Sequence, residues 1–172
     1  MIPDPAHPFA VTSVEEVGWG LLLVAITMTL HGFGMVFTVR VTNIAKAVTE
    51  RKDSFIAGVG ILILASSLIL MVHLSEVVVW AAFFFYKHAM PDANTSYYFA
   101  LMEYTTVGSN YNLPRRLRLL EGVIAVAGLI TFAWSTGVLL TLAQDFQDRE
   151  VKYLELRRKR LRRHDARSNQ SD

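Results

Sequence analysis

The segment Tyr104-Thr105-Thr106-Val107-Gly108-Ser109-Asn110 is polar, irregular and glycine-bearing, yet it lies between two long apolar runs. Lipid offers backbone groups no hydrogen-bond partner, so such a stretch persists at bilayer depth only where it faces protein or water. Carbonyl oxygens held there can stand in for the hydration shell of a passing cation. A pore or a buried cavity is therefore the first chemistry to weigh.

A second candidate group is titratable. His73, Glu76 and Trp80 are spaced by three and four residues, which puts them on one stripe of a helix. A carboxylate inside an apolar run is costly unless it is partnered or protonated. His73 and Glu76 offer two metal ligands on that face, but the chain has no cysteine and no second compact His/acid cluster to complete a set. Glu76 is better read as a buried hydrogen-bond partner that braces the neighbouring loop segment. His31, in the first apolar run, is either a proton-sensing or ligand residue or a neutral imidazole bonded across to another helix; the second reading is the simpler. Glu103 either tunes the loop through protonation or bonds backbone amides behind it. An intramembrane metalloenzyme built on His31, His73 and Glu76 would lack a nucleophile and a full ligand set, so no catalytic residue is assigned and no enzyme is expected.

These residues need long elements to position them. A first span is expected from about Val14 to Val41, with Glu15 and Glu16 at the positive end of the helix dipole and Trp19 and Arg40 as interfacial anchors. About 20 apolar residues at 1.5 Å each cross a hydrocarbon core roughly 30 Å thick. A polar link, Asn43 to Asp53, leads to a second span from Phe55 to about Tyr86, long enough to tilt or project. Pro91 and Asp92 act as stop signals, and Asn94, Thr95 or Ser96 caps a short helix from Ser96 to Tyr104. At roughly 14 Å that helix cannot cross, so helix, extended loop and return to the surface make a re-entrant segment. Its negative C-terminal end favours a cation nearby. The last span is expected from about Leu119 to Leu142, where Gly122, Gly128 and Gly137 admit close neighbours. Thr131, Ser135, Val138 and Leu142 share a face there, suited either to a water-filled vestibule or to ordinary interhelical bonds.

Composition agrees with this layout. The chain is 52% hydrophobic with a mean hydropathy of +0.33, which with its uninterrupted apolar runs points to a membrane protein. The net charge of +2 hides an asymmetry, because nine of the seventeen basic residues fall between Arg149 and Arg167. That tail is helix-compatible, with Val151, Leu154 and Leu161 as apolar contacts; it forms a short bundle or lies on anionic lipid, and residues beyond about His164 are expected to be disordered. A nucleic-acid partner is not expected beside membrane spans. Met1 to Ala10, with three prolines and no basic residue, reads as an irregular arm rather than a secretory signal. Arg40, Lys46, Arg51, Lys52 and the basic tail place both flanks in the cytoplasm, leaving the N-terminus outside a multi-pass protein of the cell (inner) membrane. Arg115, Arg116 and Arg118 then fall outside against that trend, with Glu121 placed to pair with Arg118.

From Phe55 to about Phe146 the sequence resembles the pore unit of the potassium-channel superfamily, two spans around one pore loop. More narrowly it looks like the small bacterial pore-loop ion channels with an extra N-terminal helix. The residues that carry the likeness are His73, Glu76 and Trp80, then Tyr104-Thr105-Thr106-Val107-Gly108, then Arg118, Glu121 and Trp134. The resemblance implies an all-α membrane protein with three transmembrane helices plus a re-entrant pore helix and filter loop, assembled as a homotetramer in the lipid bilayer. Residues 1–54 would hold the arm, first span and link, 55–146 the pore domain and 147–172 the basic tail. It implies that Thr105, Thr106, Val107, Gly108, Ser109 and Asn110 form the selectivity filter, with backbone oxygens of Thr106 to Ser109 turned inward and the Thr106 hydroxyl at the inner end. His73, Glu76, Trp80 and Glu103 would support it, and potassium or sodium ions would occupy it with no other cofactor. Ser109 stands for an aromatic ring, Asn110 for a glycine and Tyr111 for an acid, so the outer sites are expected to widen. The expectation is a cation channel weakly selective for potassium; the alternative is a non-conducting membrane protein of the same architecture that serves assembly or sensing.

Overall fold

The computed structural model describes residues 14–49 and 55–168; the expected N-terminal arm, the Arg51-Lys52 pair and residues 169–172 lie outside them. Four helices come in order: α1 (Val14–Thr49), α2 (Phe55–Tyr86), α3 (Ala93–Tyr104) and α4 (Leu119–Ser168), with a 3-10 turn at Arg115–Leu117 before the last. There is no strand among the described residues. Three helical stretches, Val14–Thr49, Phe55–Tyr86 and Arg115–Arg149, are long and apolar enough to cross a membrane.

Helix α2 keeps the bounds its apolar run suggests, but α1 and α4 outrun theirs. Helix α1 continues past Val41 to Thr49 because no Gly or Pro interrupts it there. The hydroxyls of Thr42 and Thr49 bond back to Thr38 and Ala45 carbonyls at 2.9 and 2.6 Å, and Lys46 Nζ reaches Asp145 of α4 at 3.1 Å. Helix α4 runs unbroken through Ser168, so the expectation of disorder beyond His164 is corrected as far as that residue. Its last third is rich in Lys, Glu, Arg and Leu, all good helix formers, and Gly137 is the last glycine in the chain. Helix α3 starts at Ala93 rather than Ser96, and Asp92 is its cap. The Asp92 carboxylate accepts from the Thr95 N–H at 2.9 Å and from the Thr95 hydroxyl at 2.8 Å. These two bonds hold its carboxyl below the usual carboxylate range.

The buried stripe of α1 shows how these helices choose their faces. Glu16, Gly20, Leu23, Thr27, His31, Met35, Thr38 and Thr42 recur every three or four residues and are buried. Leu21, Leu22, Ile26, Phe33 and Phe37 are exposed on the other side. A soluble helix would bury the second set. In lipid, apolar side chains gain nothing by leaving one apolar medium for another, so small and polar residues take the interface instead. At Gly34 a Cβ would meet Val72 of α2, and at Gly128 it would collide with the Tyr104 carbonyl, so α4 approaches α3 only because that position has no side chain. The apolar core gathers Val77, Trp80, Phe84, Phe99, Leu117, Leu120 and Ile124 from α2, α3, the turn and α4.

Candidate functional site

Four helices meet at one polar cluster. Helix α1 contributes Thr27 and His31, α2 contributes His73, Glu76 and Trp80, α3 contributes Tyr104, and α4 contributes Thr131 and Ser135, all buried. Three- and four-residue spacing puts each helix's contribution on one face. His31 Nδ1 lies 2.8 Å from Glu76 Oε1, and the Tyr104 hydroxyl donates to Glu76 Oε2. The Tyr104 oxygen also lies 2.6 Å from Thr131 Oγ1 and 3.0 Å from His73 Nδ1. On its other side His73 Nε2 is 3.0 Å from Ser135 Oγ. Trp80 Nε1 donates to Thr27 Oγ1 at 3.0 Å.

A proton count limits what this cluster does. A carboxylate only accepts, so with Glu76 ionised His31 Nδ1 is the donor and Tyr104 spends its one proton on Glu76. His73 Nδ1 then donates to the Tyr104 oxygen. Neutral His73 receives from the Ser135 hydroxyl at Nε2. Protonated, it donates there while that hydroxyl turns to the Thr131 carbonyl, 3.0 Å away. His73 therefore has partners in both charge states. His31 does not, because its Nε2 is buried without a partner and an N–H there would be orphaned. Neutral His31 making an interhelical bond is the plainer of the two readings of that residue.

The ligand atoms of His31, His73 and Glu76 also lie within 4.8 Å of one another, close enough to hold a metal ion. His31 is the third ligand that spacing along α2 could not reveal. Three protein ligands suffice for an open zinc site. Here, however, the Glu76 oxygens and both Nδ1 atoms already bond within the cluster, and a metal would displace those bonds.

Tyr104 ends α3, and the segment beyond it is exposed. The helix closes with Thr106 N–H on the Glu103 carbonyl at 3.0 Å and Val107 N–H on the Met102 carbonyl at 3.0 Å, the paired bonds of a Schellman ending. The residue in the left-handed position of that motif is Thr106, with φ of 62°, where glycine is usual. A β-branched residue there is strained. Gly108 comes next but one, with φ of 78°. Thr106, Val107, Gly108 and Asn110 are exposed, and Val107 stands 69% open. The Thr105 hydroxyl bonds back to the Leu101 carbonyl at 2.8 Å, while Thr106 itself is exposed. Glu103 Oε1 accepts from the Ser109 N–H at 3.0 Å, so this acid bonds a loop amide.

The expected site residues thus fall into two groups. His73, Glu76, Trp80 and Tyr104 come together beneath the loop, while Thr105 to Asn110 form it. Thr131 and Ser135 are buried with their hydroxyls on Tyr104 and His73, so the stripe that suited a vestibule makes interhelical bonds; Val138 is half-buried and Leu142 buried. Exposed small and polar positions on another face of α4 include Ala133, Thr136, Gly137 and Thr141. Glu121 accepts from the Leu113 N–H at 2.6 Å, and among the described residues no ion pair joins it to Arg118. Comparison with protein-family models, with curated proteins and with solved structures yields no match to this chain.

Proposed function

We propose that the chain is one subunit of a homotetrameric channel for monovalent cations, with the loop from Thr105 to Asn110 as its filter. One observation carries the reading: an exposed, strained loop hangs from Tyr104, a helix end buried among three helices long and apolar enough to cross a membrane. Glu76, to which Tyr104 is bonded, lies ten residues from the Tyr86 end of α2, about 15 Å along the axis. That is half of a hydrocarbon core roughly 30 Å thick. Exposed carbonyls at that depth need water or other copies around them. Four loops about one axis meet that need, and closed symmetry favours such a ring. Ions there are potassium or sodium, held by backbone oxygens of Thr106, Val107 and Gly108. The exposed face of α4 through Ala133, Thr136, Gly137 and Thr141 supplies the wall below the filter.

In this reading the cluster of Glu76, His73 and Tyr104 fixes the inner end of the filter, and Glu103 steadies the outer half. Selectivity is weak because Ser109 and Asn110 stand where the filter pattern has an aromatic residue and a glycine, which widens the outer sites and leaves fewer that strip an ion of its water. The N-terminus lies outside, the basic tail meets the cytoplasm and its anionic lipid, and the membrane is the cell (inner) membrane. Purified full-length protein in liposomes tests this by potassium and sodium flux, with native mass spectrometry for stoichiometry. Cation flux from a four-copy assembly is the expected result. A dimer, or no flux of either ion, sinks the reading and leaves the non-conducting alternative.

A further inference from the structure

The outer half of the loop is tied into a closed circuit on α3. Starting from Glu103, the carboxylate accepts from the Ser109 N–H at 3.0 Å. The Ser109 hydroxyl then clasps Tyr111 from both sides, donating to its carbonyl at 3.1 Å and accepting from its N–H at 3.2 Å. The Tyr111 ring returns to α3, meeting the Tyr98 ring edge-on at a centroid distance of 6.4 Å and 77°. Both rings are about half exposed, at 45% and 47%, so neither is fixed by burial in the core. Tyr98 and Glu103 are five residues apart, about 7.5 Å along the helix. A circuit with two footholds that far apart resists both sliding and tilting of the segment between Gly108 and Tyr111.

We propose that Tyr111 is a positioning residue whose ring, seated on Tyr98, sets how far the oxygen-bearing loop stands from α3 and thereby how well the site separates potassium from sodium. The discrimination part rests on the channel reading above. The positioning part rests on the circuit alone. Carbonyl oxygens favour the larger ion only while their spacing is held, and a loop free to close around the smaller ion loses that preference. An edge-to-face aromatic pair is worth a factor of about 2 to 12 in a local equilibrium. Losing it should loosen the loop by that factor without unfolding the helices.

The test compares full-length wild type with Tyr111→Phe and Tyr111→Ala, reconstituted in liposomes, with two readouts. Amide hydrogen exchange across Gly108 to Tyr111 should quicken about 2- to 12-fold in the alanine variant and stay at the wild-type rate in the phenylalanine variant. The potassium-over-sodium flux ratio should fall toward unity in alanine, and phenylalanine should keep it. Unchanged exchange in the alanine variant overturns the positioning role whether or not the protein conducts. Quickened exchange with an unchanged flux ratio in a conducting wild type overturns the discrimination role. A wild type that passes no cation fails the channel reading and the discrimination role together, and exchange still decides the circuit.

Discussion

Tyr104→Phe removes one atom from the centre of the molecule. The ring remains, with its contacts to Phe132 at 5.6 Å and to His73 at 6.1 Å. The lost oxygen is the donor to Glu76 and the neighbour of Thr131 Oγ1 and His73 Nδ1, at 2.6 and 3.0 Å. Its removal leaves a fully buried carboxylate short of a donor and His73 short of an acceptor. A hydrogen bond to a charged group contributes about 1.5–3 kcal/mol in proteins. Interhelical polar contacts inside bilayers average nearer 0.6 kcal/mol, with a maximum of about 1.7, because helices separated in lipid find other partners. An oxygen that serves an acid and an imidazole together belongs at or above that maximum. The expected loss is about 2 kcal/mol, roughly 30-fold in the folding equilibrium. Reversible unfolding in bicelles measures it, and a cycle with Glu76→Gln isolates the pair, with a coupling of about 1 kcal/mol or more expected. A loss below about 0.5 kcal/mol together with additive single changes would refute the claim that this hydroxyl holds α3 to α2.

Thr106→Gly should stabilise the fold, since relieving a left-handed β-branched residue returns about 1–2 kcal/mol and glycine's extra chain entropy takes back about 0.5–1; the same change should alter cation flux, and a destabilised variant would count against strain at Thr106. The Asp92 carboxyl is held below its ordinary value of 3.8, so its cap is fully present above 3.8 and is lost as pH falls through the lowered value. Amide exchange in the first turn of α3 should therefore quicken in that acid window, and Asp92→Asn should abolish the step. Chelator treatment of the purified protein should leave its unfolding midpoint unchanged, because both Glu76 oxygens and both imidazole Nδ1 atoms already have protein partners within the cluster. A midpoint that drops on chelation and returns with added zinc would reassign the cluster.

What the sequence made legible was what repeats or punctuates. Apolar runs located three spans, and the three-and-four spacing of His73, Glu76 and Trp80 put them on one buried face. The helix ends were harder, because a span is read from apolar residues while a helix stops only at a breaker. Ala45, Lys46 and Ala47 carry α1 on past Val41, and Lys, Arg and Glu carry α4 on past Leu142. Asp92 after Pro91 looked like a stop and proved to be a cap, since the residue that ends one element can begin the next. Contacts at long separation left no local trace. Nothing near His31 announces that it meets Glu76, 45 residues away, nor near Thr131 that it meets Tyr104. Tyr111 was legible only as a departure from a familiar motif, and its ring meets that of Tyr98 only because the loop folds back on α3.

Helix α4 has a mechanical consequence. Its 50 residues make one rod about 75 Å long, with Thr131 roughly 20 Å from one tip and the basic segment at the other. It is one continuous helix, with no break along its length to absorb motion. A turn of this helix about its own axis would therefore move Thr131, and through their 2.6 Å contact would press on Tyr104 at the start of the loop. The Lys46–Asp145 contact at 3.1 Å ties that rod to α1 near the far end of the span, so the same turn would strain it.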